Sequence, residues 1–427
     1  MTQRYLDQHA RFLSSAVGPG WLMDARRASI ARFVAAGFPT TKNEDWHFTS
    51  VAPIVEREFV FDAQGHASPA MPSYELPGDA FTVVFRNGRC TGVASGGLDR
   101  GVRVLSLADA WTVAPDLARR VGTVLSDQPA FTALNSAFMA DGAIVHVAKD
   151  VSADLLIHLV FLSDDTAPRV TYPRNLIVVE RGAKATVVET YAGPDKGSYF
   201  TNAVTEVILS EGATLDHCKI QREGRKAFHV GTIDVTQARD SHYRSFSFAS
   251  GGALSRTNIY TTLRGEGAGA TLNGLYMLDG EQHCDHQTKI EHVAPNCFSR
   301  EVYKGVLDGR SHGVFNGKVY VHPEAQKTDG KQTNNSLLLS REAQVDTKPQ
   351  LEIFADDVKC THGATVGRLD ENALFYMKSR GVDTETARRL LIYAFAADVL
   401  ETIASEDVRS ALERDALGRF VSEAVTA

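Results

Sequence analysis

Two segments thirty residues apart, IVVERGAKATVV beginning at Ile177 and VILSEGATLDHC beginning at Val207, share one pattern: an apolar triplet, two polar residues ending in a charge, then Gly-Ala. Similar corners recur at Asp240-Ser241 and Gly267-Ala268, offset by 28 and 27 residues. A period that drifts by a few residues is expected where each coil of chain stacks on the last and the loops at the corners vary in length. The pattern therefore predicts a parallel β-helix over the β-branched, Gly-broken sequence from about Phe81 to Val358, in which almost nothing reads as a long helix. A β-sandwich is the main rival. The Asn-Gly pairs at Asn87, Asn273 and Asn316, however, do not fall at a sandwich's hairpin spacing.

Both ends read as helical. DARRASIARFVAA, from Asp24, carries Ile30, Phe33 and Val34 at helical spacing, with Asp24 as N-cap and Gly37 and Pro39 as stop signals. TKNEDWHFTS, which follows, reads as a linker. Near the other end, Asp370 and Asp383 cap two further helices, and in the second Leu391, Phe395 and Val399 recur at i, i+4 with Leu390, Ala394 and Ile403 beside them. That apolar face either packs on the β body or docks a partner. The expected organisation is a helical region and linker at 1–80, a β-helix core at 81–367 and a helical domain at 368–427.

Bulk properties exclude several classes. With 45 Lys and Arg against 52 Asp and Glu, the formal net charge of −7 offers nucleic acid no basic surface. The first twenty residues hold no apolar core of signal-peptide length, and the longest apolar stretch, 155–162, is interrupted by His158 and is too short for a bilayer. A cytoplasmic chain without membrane contact is expected. Its five cysteines, Cys90, Cys218, Cys284, Cys297 and Cys360, are odd in number and irregularly spaced, so reduced thiols are expected. No GxxxxGK[ST] loop occurs, and GEGAGATLNG at Gly265 lacks the lysine and opens no helix, so no direct ATP binding is expected. HCDHQTKIEHVAPNC, from His283, matches no zinc spacing; on a strand, Cys284 and His286 share a face and His283 points away.

The stretch LEIFADDVKCTHGATVG, from Leu351, sets Cys360 two residues before His362. Gly363 and Gly367 weaken any helix here, and an extended chain puts Asp356, Val358, Cys360 and His362 on one face. On spacing alone, a buried thiol beside a hydrogen-bonded imidazole is the plainer reading. As metal ligands the two are too few for a closed site, so another chain would complete the shell.

QTNNSLLLSREAQVDTKPQLEIFADDVKCTHGATVGRLDENALFYMKSRGV, residues 332–382, closely resembles the SufB/SufD family of the SUF iron-sulfur cluster assembly machinery, and within it the SufD branch. GFPTTKNEDWHFT, DHQTKIEHVAPNCFSREVYKGVLDG and VFNGKVYV extend the resemblance over nearly the whole chain, while the Cys-x-x-Cys motif common near the N-terminus of SufB is absent. The resemblance implies a right-handed parallel β-helix between helical ends. It also implies a non-enzymatic scaffold subunit of a complex with SufB and the SufC ATPase, and a transient iron-sulfur cluster shared with SufB. His362 and Cys360 would lie near the SufB contact, and SufC would dock on the helices after Asp370, where Phe375, Tyr376, Met377 and Arg380 are candidate contacts. Whether the isolated chain forms a homodimer is left open. The alternative from a different class is a free-standing β-helix enzyme acting on a saccharide or small molecule through its carboxylates. Co-purification with a SufC-like ATPase separates the two.

Overall fold

The computed structural model describes residues 2–65, 76, 78–93, 98, 100–125, 129–164 and 167–419. From Ala143 to Gly367 the chain winds as a parallel β-solenoid of about 8 turns, each turn giving one strand to each of two facing sheets. Every strand in one sheet pairs with the strand one turn later, Phe200–Leu209 on Phe228–Gln237 and Thr214–Arg222 on His242–Ala249, in unbroken parallel register. Val207 stands opposite Ile177, so the repeat read at an offset of 30 is the true coil register.

The corners set this register. Between the two strands of successive coils, Asp150, Gly182, Gly212, Asp240, Gly267, Asn296 and Lys327 all adopt left-handed backbone, with φ between 52° and 74°. Gly, Asn and Asp tolerate that region best, which explains why the corner residues were visible in the sequence. Each corner amide reaches the next coil: Gly182 N donates to Glu211 O at 2.9 Å, Gly212 N to Arg239 O at 2.9 Å, and Lys327 N to Asp357 O at 2.6 Å. Between corners, alternate residues point inward and form columns such as Ile177, Val207, Val235, Thr261, Ile290 and Val319, whose branched side chains fill the space between the sheets.

The interior is not uniformly apolar. Glu189 is fully buried, yet it accepts hydrogen bonds from Thr205 at 2.7 Å and Tyr191 at 2.6 Å and lies 3.1 Å from His217 Nε2. Burial alone would raise its carboxyl, but these partners outweigh it and hold the group below the usual carboxylate range.

Helices cover the outer faces. The N-terminal helix Gly20–Ala36 begins earlier than the Asp24 cap implied, at N-cap Pro19, because Leu22 is buried against Leu107 and Leu176. It ends at Gly37 as expected, with φ 66°. Phe33, Phe131, Phe138, Phe200 and Phe228 belong to one aromatic cluster that seats the N-terminal region on one sheet. One contributor, the helix Ala130–Phe138, escaped the sequence pattern because all nine of its residues are buried and its polar stripe of Thr132, Asn135 and Ser136 faces the interior, where Asn135 and Ser136 accept from Arg174, instead of facing solvent. The segment read as a linker is instead a latch: Arg256 lies 3.7 Å over the Trp46 ring, and both Thr49 and Arg256 donate to Asp285 Oδ2 at 2.6 Å.

At the other end, Asp370 and Asp383 cap Glu371–Ser379 and Thr384–Leu400 through hydrogen bonds to Asn372 N and Thr386 N. The buried stripe of the longer helix is Ala387, Ile392, Ala396 and Val399, one residue round from the expected Leu391 and Phe395, and it packs on Phe246, Leu275, Met277 and Val306 of the second sheet. Phe395 remains half-buried and Leu390 exposed. The apolar face therefore serves the β body.

The corner geometry makes a testable statement. At Gly212 a Cβ would meet nothing closer than 3.9 Å, so Gly212→Ala carries only the backbone cost of left-handed φ, about 1–2 kcal/mol. The expected result is a lowered melting midpoint for Gly212→Ala and little change for Asp240→Gly at the next corner. Equal midpoints for Gly212→Ala and the parent chain would contradict it.

Candidate functional site

The last coil consists of Gln344–Ile353 and Val358–Gly367, which terminate the two sheets at the end farther along the chain. Inner strands are buried almost throughout, whereas Val358–Gly367 is exposed from Thr361 onward. Its inner edge pairs with Thr328–Leu338, and its outer edge has no strand partner among the described residues. Backbone groups on such an edge are available to another strand.

Cys360 and His362 both lie on this edge strand, two residues apart, and so share a face as the alternation predicted. Asp356 does not join them. It sits in the bend at residues 356–357 that turns the chain from one sheet to the other, where strand parity no longer applies. Cys360 is half-buried among Val319, Ile353 and Val358, and Gly330 beneath it is tight: a Cβ there would come within 3.3 Å of the thiol. Burial pushes the Cys360 thiol up, opposed by a backbone hydrogen bond at Gly330. His362 is exposed and makes no hydrogen bond or ion pair among the described residues.

One coil deeper, the residue in register with His362 is Gln332, and beneath that is Glu301. Both are buried, and Gln332 Nε2 donates to Glu301 Oε2 at 2.9 Å. Gln332 fills the room left by Gly317 on the facing strand, since a Cβ there would collide with the amide nitrogen. Unlike Glu189, Glu301 has no imidazole beside it. Burial pushes its carboxyl up to about 7, against the lowering influence of nearby Thr288 and Gln332. Gln332 Oε1 and Glu301 Oε1 are buried without a hydrogen-bond partner. Neither residue stands out in the sequence, because only the coil register reveals that they lie beneath His362.

Among the described residues no group of three or more His, Cys, Asp or Glu side chains is placed to hold a metal ion. Cys360 and His362 supply one soft and one borderline donor on an open edge, a fit for part of an iron-sulfur shell and not for a closed site. The HCDH segment divides as its alternation implied: Cys284 Sγ lies 3.7 Å from His286 Nδ1 in the interior, while His283 faces the latch, 2.9 Å from Thr49 Oγ1. The five cysteines form no disulfide.

The remaining candidates lie on Glu371–Ser379, a helix with no buried residue, and on its C-cap Arg380. Phe375 and Tyr376 are 74% and 59% exposed, large values for aromatic side chains. Arg380 is also exposed, 5.1 Å over the Tyr376 ring, and Met377 is half-buried. The two groups of candidates thus occupy separate elements, an edge strand and the helix after it.

This end of the solenoid falls within the longer of two family matches. Residues 161–395 match the SufBD core domain of SUF system FeS cluster assembly proteins, and residues 3–159 match the SufBD protein N-terminal region. The chain belongs to the SufBD family. Within it, the chain is 33% identical over 386 residues to the iron-sulfur cluster assembly protein SufD of Escherichia coli (strain K12), covering 89% of each. It is 33% identical over 400 residues to an iron-sulfur cluster assembly SufBD family protein of Synechocystis, covering 90% of this chain and 87% of that one. It is 27% identical over 410 residues to SufD of Bacillus subtilis (strain 168), covering 92% and 93%. The chain is therefore a SufD-type iron-sulfur cluster assembly protein. No helix among its described residues is long and apolar enough to cross a membrane.

Glu301 gives this SufBD family member a specific pH signature. Between about pH 4.5 and 7 the unfolded chain has released this proton while the folded chain retains it, so the group's contribution to stability falls as pH rises through that window. Glu301→Gln removes the effect. Its stability relative to the parent should be unchanged near pH 4 and higher by up to about 3 kcal/mol at pH 8. Parallel denaturation curves for the two proteins across that range would show that Glu301 ionises freely in the fold.

Proposed function

We propose that this chain is a non-enzymatic scaffold subunit that pairs through its open solenoid end with SufB, carries the SufC ATPase on its C-terminal helices, and offers Cys360 and His362 to a cluster under assembly. The observation that carries the reading is the unpaired edge of Val358–Gly367, on which the thiol and the imidazole sit. An exposed strand edge is an aggregation hazard unless something covers it, and a partner strand would satisfy its backbone groups. Of the two edges at this end, Gln344–Ile353 contains Pro349, which lacks an amide donor, so the Val358–Gly367 edge is the better template. Pairing there brings donors from the partner beside Cys360 and His362, which by themselves cannot complete a metal shell. The cluster is cargo on this reading. The chain's part is to hold one thiol and one imidazole at the joint.

For SufC, the support is the exposed aromatic pair Phe375 and Tyr376 with Arg380 on a helix that buries nothing of its own. The helix Thr384–Leu400 and the helix Glu406–Arg419 are already committed to the β body through Ile392, Val399, Val408 and Leu412. Deleting everything after Asp370 would strip that cover, so point substitutions on Glu371–Ser379 are the sounder probe.

The enzyme alternative finds less support. A cavity of about 580 Å³ lies between the latch and the outer face of one sheet, but two of its three carboxylates are engaged, Glu44 with Lys348 at 2.7 Å and Glu291 with His322 at 2.8 Å and Lys289 at 3.2 Å, which leaves only the exposed Asp45 without a side-chain partner. A general acid and a general base need free carboxyls.

Co-expression of the tagged chain with SufB and SufC tests the proposal. Val366 is 51% exposed on the edge strand, so Val366→Asp should leave the folding stability within about 0.5 kcal/mol while weakening SufB retention tenfold or more. Phe375→Ala with Tyr376→Ala should release SufC and keep SufB. His362→Ala should retain the complex and lose most of its iron and acid-labile sulfide. Full retention of both partners by the first two variants, with normal cluster content in the third, would overturn the scaffold reading.

A further inference from the structure

We propose that Gln332 is a positioning residue for His362: its side-chain carbonyl, held from beneath by Glu301, accepts one imidazole N–H and leaves the other ring nitrogen facing out of the solenoid. This rests on the reading of His362 as a ligand at the partner joint.

Three observations converge on it. First, the parallel register places Gln332 directly under His362 and Glu301 directly under Gln332, so the three occupy one inward column on successive coils. Second, the orientation of the Gln332 amide is dictated from below. An amide has one donor end and one acceptor end, and its nitrogen is committed to Glu301 Oε2 at 2.9 Å, so Oε1 is the end left over. Gly317 opens the facing strand for that amide, and any larger residue there would displace it. Third, Gln332 Oε1 is buried and has no partner, while the imidazole in the next coil is likewise unpartnered. An unpaired buried carbonyl is costly, and the group in register with it carries an N–H.

The chemistry gives this arrangement a purpose. A metal-binding histidine uses one ring nitrogen for the metal, and the partner of the other nitrogen fixes tautomer and ring direction. In the free chain the His362 side chain is exposed and can rotate among staggered wells. When a strand pairs along the Val358–Gly367 edge and closes over it, the acceptor waiting one coil deeper selects the rotamer and the tautomer. Glu301 contributes by holding the amide the right way up: without it, the amide can turn and offer its NH2 end, which cannot accept from the imidazole.

The test uses the complex assembled by co-expression with SufB and SufC, freed of iron and titrated with Co(II), whose visible absorption reports the donor set. The His362-dependent site is defined as the Co(II) binding lost in the His362→Ala complex. Gln332→Met, close in volume but without an acceptor, is expected to weaken that site by 10- to 100-fold and to alter its absorption band. Gln332→Glu, which keeps an acceptor oxygen with one proton shared between the two carboxyls, is expected to retain affinity within about threefold. Glu301→Leu supplies an independent route if Gln332→Met assembles poorly, and is expected to weaken the site in the same direction. Melting curves beside each titration separate positioning from collapse. If the His362→Ala complex binds Co(II) as the parent does, the ligand reading of His362 fails. If a His362-dependent site exists but Gln332→Met and Glu301→Leu leave its affinity and spectrum unchanged, the ligand reading stands and the positioning role is overturned.

Discussion

A parallel solenoid satisfies its backbone by handing each coil's amides and carbonyls to the next, so the ladder has to end somewhere. Here the two ends are treated differently. Toward the N-terminus the stacks end in antiparallel pairs of short strands: Ala80–Arg86 with Arg89–Val93, turned by Asn87 and Gly88 in left-handed backbone, and Val102–Ser106 with Ala143–Val147. At the other end both sheets stop on full-length strands with no further strand beside them among the described residues. The longer free strand edges therefore lie at this end, and Cys360 and His362 lie on one of them.

Two buried carboxylates, one in the earlier coils and one near the open end, are held differently. In the earlier coils Glu189 is enclosed by Thr205, Tyr191 and His217, which together overcome the cost of burial. Near the open end Glu301 accepts from Gln332 with Thr288 nearby, and burial still pushes its carboxyl up to about 7. Orphaned oxygens on Glu301, Gln332 and Asn334 lie within two coils of the edge. A fold seeking stability alone would replace such groups with apolar ones.

The helical regions complete the arrangement by what they leave uncovered. The N-terminal helices seat an aromatic cluster on one sheet, and the C-terminal helices cover the other, where Lys304 Nζ also reaches Phe395 O at 2.8 Å. The helix Glu371–Ser379 lies outside that cover, immediately after the edge strand, with Phe375 and Tyr376 in solvent. Two surfaces suited to partners thus follow one another along the chain, on elements of different kind.

The amino-acid sequence by itself determined what depends on local backbone chemistry. The corners were legible because left-handed φ selects Gly, Asn and Asp, and the C-terminal helix starts were legible because Asp370 and Asp383 can cap. The shared face of Cys360 and His362 followed from strand alternation alone. Tertiary structure decided everything that depends on which residues meet across coils or layers. It took Asp356 off the strand into a corner, turned the supposed linker into a latch through Thr49, Trp46, Arg256 and Asp285, and rotated the buried stripe of the longest C-terminal helix from Leu391 to Ile392. It also placed Gln332 and Glu301 beneath His362, a relation spanning 30 and 31 residues per coil that no local pattern encodes, because coil length varies and only the hydrogen-bond register fixes which side chains stack.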